Sequence, residues 1–179
     1  MVLLVADTSA LVSLGTVAGA SPNPLDLLLE SHTVVVPEQV VDELTETASY
    51  DDVSGEAAQA VLDRRAAFET RSIELDETFP LDAGENAAVT LANNIDAVQL
   101  LCDEFNRLAL AHASLAETRL VTTPILLTAL VRNDAVLPDA AEEFLAEMSD
   151  ARSWSSNSYV ERAQSTLRQQ RDNERPEPK

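Results

Sequence analysis

Lysine is almost missing from this chain: of 12 basic residues, only the last position, Lys179, is a lysine. Chemistry that steadies a phosphate with a lysine has no residue for it. That excludes phospho-acceptor receiver domains and aspartyl-phosphate phosphatases; the latter also need a second acid two residues after the nucleophile, where Ser9 stands. Cys102 is the single cysteine, so an internal disulfide framework and a cysteine-based zinc site, including a zinc ribbon, are excluded. A buried strand position is expected for it. His32 and His112 fall outside the acidic motifs described below, which gives a histidine-based nuclease mechanism no support. No apolar run reaches membrane-spanning length. The N-terminal run VLLVA (2–6) is too short for a signal-peptide core and lacks a basic leader. A soluble, cytoplasmic protein without a membrane partner is expected.

What the chain has in excess is acid, 31 Asp+Glu against 12 Lys+Arg, for a net charge of −19. The acids run through the whole body of the sequence. That pattern suits concentrated salt, where repulsion is screened over a few ångströms, and an intracellular protein of an extreme halophile is expected. With 179 residues, 45% of them hydrophobic, the chain can bury a real core in one domain and leave a tail. The composition shifts near residue 150, because residues 151–179 hold half of the bases and few of the acids. The expected division is a domain over 1–150, then a C-terminal helix and tail over 151–179. SNSYVERAQSTLRQQR has helical character, and NERPEPK is expected to be disordered. Two roles for the tail stay open: a solvated, frayed end, or a contact segment for a partner or nucleic acid.

Short β-rich runs alternate with helical patterns. The strands expected are VLLVA (2–6), TVVV (33–36), RSIEL (71–75), VQLLC (98–102) and RLVT (119–122). Helices are expected at PLDLLLES (24–31), PEQVVDELTETA (37–48), SGEAAQAVLDRRAAFE (54–69), DAGENAAVTLANNI (82–95), EFNRLALAHASLA (104–116), PILLTALVRN (124–133) and PDAAEEFLAEMSDA (138–151). The alternation predicts an α/β fold of three layers, a central mainly parallel sheet flanked by helices. There is no internal repeat.

In such a sheet, ligands bind beyond the carboxyl ends of the strands, so acids just past those ends carry the interest. Asp7 ends the first strand and Asp103 ends VQLLC; each alone is readily explained as a helix cap. Glu43 borders the apolar stripe of Val40, Val41 and Leu44, and a solvated helix face explains it equally well. Glu85 could be the glutamate of a capping box with Asp82. Asp82, Asp42 and Glu38 are nearby acids expected to point elsewhere.

Taken together and in order, these motifs resemble the PIN domain family, in particular VapC-like toxin ribonucleases of a haloarchaeal type. Asp7-Thr8-Ser9 after the first strand, Glu43 in VVVPEQVVDEL, Glu85 in GENAAVTLA and Asp103 in LLCDEFNRLALA carry the resemblance, which runs from about residue 2 to residue 150. It implies that Asp7, Glu43, Glu85 and Asp103 are both the catalytic set and the ligands of Mg²⁺ or Mn²⁺, in an endoribonuclease cutting RNA phosphodiester bonds. It also implies the toxin role of a toxin–antitoxin pair, with an antitoxin protein and a second copy of the chain as partners. The chemistry is coherent: four carboxylates at close quarters repel unless cations sit among them, and hard divalent ions prefer oxygen ligands. The hydroxyls of Thr8 and Ser9 could orient Asp7 or reach a phosphate, and Arg107 could steady one. Asn106 stands where some relatives carry a further acid. The competing function is a catalytically inactive PIN-like binding or scaffold module, its acids retained for solubility in salt.

Overall fold

The computed structural model describes residues 1–174. The chain divides into two compact units, one from Met1 to Thr123 and one from Pro124 onward. In the first, β1 (Val2–Ala6) leads through α1 (Thr8–Gly15) and α2 (Pro24–Ser31) to β2 (His32–Pro37). Next come α3 (Glu38–Thr47), α4 (Val53–Leu62) and β3 (Glu69–Arg71), then α5 (Ala83–Asn94), β4 (Gln99–Leu101), α6 (Leu108–Ser114) and β5 (Arg119–Val121). The five strands make one sheet in the order β3-β2-β1-β4-β5, every pair parallel. This is the α/β fold that the alternation predicts.

The central strands β1, β2 and β4 are largely apolar because both faces of the sheet are covered there, whereas the edge strand β3 is Glu69-Thr70-Arg71, polar and partly exposed. Val35, Val5 and Leu100 lie side by side in register and pack with Ala88, Val89, Leu91 and Ala92 of α5 and with Leu108 and Ala111 of α6. Leu4, Ala6, Val34, Val36 and Leu101, which alternate with them, are buried as well. Each leucine so enclosed contributes roughly 1.5–3 kcal/mol of burial. Cys102 sits in the first cluster, buried as expected. Helices α1 and α4 cross so closely at Gly15 that a Cβ there would collide with the carbonyl of Ala57.

Three expected elements differ in extent. The strand expected at 71–75 forms at Glu69–Arg71, because its only neighbour limits it: Arg71 pairs with Pro37, after which β2 turns into α3. Residues beyond Arg71 therefore have no ladder to join. The helix expected at 54–69 stops at Leu62, where Arg64 swings back to pair with Asp26 of α2 and Phe68 turns extended toward β3. The helix expected from 104 starts at Leu108, since the amides of Phe105 and Arg107 bond to the carbonyls of Asp103 and Glu104 in a turn. By contrast α2 forms at the expected residues, with Asn23 capping it and Pro24 in its first turn.

Helix α7 (Thr123–Arg132) begins at the end of the first unit. In the second unit α8 (Pro138–Arg152) and α9 (Ser158–Glu174) pack on each other, and Arg171 Nη1 reaches Glu142 Oε2 at 2.9 Å. Asn173 and Glu174, expected to be disordered, belong to α9; the rest of that expectation, 175–179, lies outside the described residues.

Candidate active site

The strand order reverses at the β1–β4 boundary, since β2 and β3 extend from one side of β1 and β4 and β5 from the other. A crevice is expected beyond the carboxyl ends of two strands that part in this way. Asp7 follows β1 directly and Asp103 follows β4 by one residue. The amide of Asp7 donates to the carbonyl of Leu101 at 2.9 Å, which aligns the two strand ends.

Asp7 is a helix cap and also a buried acid. Its Oδ2 accepts from the amide of Ser9 at 3.3 Å and from Ser9 Oγ at 2.7 Å, at the head of α1. Burial raises its pKa, and the bonds from Ser9 pull the other way. The same Ser9 Oγ accepts from the amide of Asp103 at 2.9 Å, so one hydroxyl joins the two strand-end aspartates. Asp103 does not cap α6, whose N-terminal residue position belongs to Arg107; its Oδ1 accepts from the amide of Thr123 at 2.7 Å. Cys102 Sγ lies 3.7 Å from Asp7 Oδ2, and burial pushes that thiol's pKa far up. It takes no part as a thiolate.

The two glutamates come from helices. Glu43 is half-buried, not on a solvated face, and the hydroxyl of Thr8 donates to its Oε2. Its carboxylate lies over Gly84, where a Cβ would collide with Oε1 and stand 2.9 Å from Oε2. Glycine leaves room here for this close approach, and no turn calls for it. Burial raises the pKa of Glu43; the Thr8 bond opposes that, while the charges of Asp7, Asp82 and Glu46 add to it.

Glu85 follows Gly84 in the first turn of α5 and is 6% exposed. The capping-box reading is half met: Asp82 Oδ1 accepts from the amide of Glu85 at 2.9 Å, but neither oxygen of Glu85 takes part in a hydrogen bond. Burial, then the charge of Asp82, raises its pKa to about 7, against the pull of Arg107. Arg107 Nη1 stands 3.3 Å from Glu85 Oε2 and 3.1 Å from Asp82 Oδ2.

Asp7, Glu43 and Glu85 are thus near enough for the charge of Asp7 to raise both glutamates, and Ser9 ties Asp103 to Asp7. The four do not close on a common point: among the described residues, no group of three or more His, Cys, Asp or Glu side chains is arranged to hold an ion as it stands. The reason is visible in their partners. Thr8 holds Glu43, Arg107 faces Glu85, and the Thr123 amide holds Asp103. The donor set nevertheless fits a hard divalent cation, being all carboxylate oxygen with one buried carboxylate that accepts no hydrogen bond.

Asp82 lies nearer the site than sequence reasoning supposed. Expected to point elsewhere, it caps α5, pairs with Arg107 and adds its charge to both glutamates. Asp42, Glu38 and Asn106 are exposed. The signal available for Asp82 was its place three residues before Glu85, which predicts the cap and says nothing of the arginine.

Comparison with known proteins adds two findings. A family model described as a PIN domain matches residues 3–169. No curated protein matches the chain.

Proposed function

The chain belongs to the PIN domain family, and from that premise we propose that it is a metal-dependent endoribonuclease whose Mg²⁺ or Mn²⁺ ligands are Asp7, Glu43, Glu85 and Asp103. PIN domains are generally nucleases, so phosphodiester hydrolysis is the starting expectation; the metal, the RNA substrate and the ligand set are the further steps. The observation that carries them is Glu85, a buried carboxylate that accepts no hydrogen bond, set among the charges of Asp7 and Asp82 with the partly exposed Arg107 as its one positive neighbour among the described residues. Such a group is stabilised by a cation far more than by water it does not reach.

A bound divalent ion would supply an activated water and charge stabilisation for the leaving oxygen of an in-line displacement. The chain's own part is to hold the ligands. Ser9 sets Asp7 against the Asp103 backbone, Thr8 sets Glu43, and Gly84 makes room for the Glu43 carboxylate. The toxin role, an antitoxin partner, a homodimer, a cytoplasmic location and a halophilic source form the rest of the proposal. They are supported by the motif resemblance and by the net charge of −19. Among the described residues no helix is long and apolar enough to cross a membrane.

The second reading, an inactive PIN-like scaffold, is favoured by one observation: no three of the acids close on a shared ion position. One assay separates the two. Cleavage of a single-stranded RNA pool in molar KCl, with Mn²⁺ and with chelator, should be metal-dependent; no cleavage under any divalent ion supports the scaffold. A thermal midpoint that does not rise between dilute and molar KCl would count against the halophilic source.

A further inference from the structure

Most of the first unit's arginines are engaged away from the acidic crevice. Arg64 pairs with Asp26, Arg71 with Glu69, and Arg65 lies over the Phe68 ring at 5.0 Å. Arg107 is different. It enters from the turn before α6, and one nitrogen, Nη1, serves two carboxylates of α5, Asp82 at 3.1 Å and Glu85 at 3.3 Å. The two acids are unlike. Asp82 is more than half exposed and already committed to the α5 amides, whereas Glu85 is 6% exposed and accepts no hydrogen bond on either oxygen. A buried carboxylate beside like charges needs a positive neighbour to remain ionised, and Arg107, with 39% of its side chain exposed, is placed to be that neighbour and free to leave.

We propose that Arg107 is a positioning residue of the site: anchored by Asp82, its guanidinium is the resident counter-ion of Glu85 and competes with a divalent cation for that carboxylate. The proposal rests on the metal-dependent reading above. Asp82 is the anchor in this arrangement and not a ligand. Binding of a cation at Glu85 moves Arg107 off Oε2 without releasing it, because its bond to Asp82 does not involve the Glu85 oxygens.

The test uses the full chain at pH 8 in molar KCl, where through-space charge effects are screened within about 3 Å and contact effects remain. Titration calorimetry with MnCl₂ compares wild type with Arg107→Gln, Arg107→Lys and Arg71→Gln. Arg107→Gln should bind Mn²⁺ about three- to fivefold more tightly, the span of a partly exposed ion pair. Arg107→Lys should restore wild-type affinity, and Arg71→Gln should leave it unchanged. In chelator, Arg107→Gln should melt a few degrees lower than wild type, and that loss should vanish when Glu85→Gln is also present. Wild-type or weaker Mn²⁺ affinity in Arg107→Gln overturns the competition and leaves the nuclease reading standing. Absence of Mn²⁺ uptake by wild type removes the metal reading and the competition together, while the melting data still report the pairing of Arg107 with Glu85.

Discussion

The two strand-end aspartates and the two helix glutamates of the candidate site are held in different ways. Asp7 and Asp103 are tied to backbone amides: Asp7 takes Ser9 N and Oγ, Asp103 takes Thr123 N, and Ser9 Oγ bridges them. Glu43 has one side-chain donor, Thr8, and Glu85 has a counter-ion but no hydrogen bond. Backbone amides cannot rearrange without moving a strand or helix, so the aspartates are fixed in place. The glutamates, on longer side chains, are held only by other side chains, and burial raises their pKa values as it raises that of Asp7. Under the proposed metal reading, the sheet would set two rigid ligands and the two glutamates would have to close on the cation.

The largest effect should come from neutralising the rigid half. Asp7→Asn and Asp103→Asn preserve shape, and asparagine caps about as well as aspartate, so both variants should fold. Each removes a formal charge from the proposed metal site and, if that reading holds, should lower metal-dependent RNA cleavage by on the order of 10²-fold or more. Wild-type cleavage by either would reduce that aspartate to a structural hydrogen-bond acceptor, for Asp7 the cap of α1.

Next in size is Gly84→Ala, which acts on the glutamate half without replacing an acid. The new methyl would displace the Glu43 carboxylate from its notch and break its bond to Thr8. Stability should change by less than about 1 kcal/mol, because alanine favours the α5 helix by a similar amount and the displaced group is the end of a flexible side chain. Cleavage should fall about tenfold. A drop in melting temperature with full activity would mean that Glu43 need not lie where the structure puts it.

Much of this frame is legible in the sequence, and the exceptions share a cause. β1, β2, α2 and α5 follow from apolar runs, caps and a first-turn proline, all local signals. β3 could not be placed from local signals, since its extent depends on where its neighbour reaches Pro37. The short α1 gives little periodicity of its own; only the Asp7 cap announces it. In the site, Asp7 and Asp103 are visible as strand-end acids, but the division of Thr8 to Glu43 and Ser9 to Asp7 is not. Nor are the notch at Gly84 or the Asp82–Arg107 pair, because each joins residues from separate elements. Local pattern reveals elements and caps; contacts between elements need the fold.

The glutamate half should also give a pH signature in metal-free protein. Unfolded Glu85 ionises near 4.5, while the folded residue holds its proton to about 7. Between those values the folded state binds more protons, so this residue's contribution to stability falls as pH rises and levels off above 7. Glu85→Gln removes the effect. In chelator the variant should gain on wild type between pH 5 and pH 8, by on the order of 1–2 kcal/mol. A stability difference that does not change with pH would mean that Glu85 is ionised throughout this range.

The smallest effect should come from loosening the rigid half instead of discharging it. In Ser9→Ala, Asp7 Oδ2 keeps the amide of Ser9 at 3.3 Å but loses the hydroxyl at 2.7 Å, and the buried amide of Asp103 loses its acceptor. Unpairing such groups costs about 1–3 kcal/mol. The Ser9 hydroxyl also holds the pKa of Asp7 down against burial, so its loss should move the acidic limb of the cleavage profile to higher pH and reduce cleavage a fewfold. Ser13→Ala is the matching control, one helical turn along: its hydroxyl is buried too, donating to the carbonyl of Ser9 at 2.9 Å, and touches no acid. It should cost stability and leave the profile in place. If both variants lose the same stability and keep the same profile, Ser9 is ordinary packing. The aspartates would then owe their position to the strands alone, and the contrast with the glutamates would rest on burial and not on hydrogen bonding.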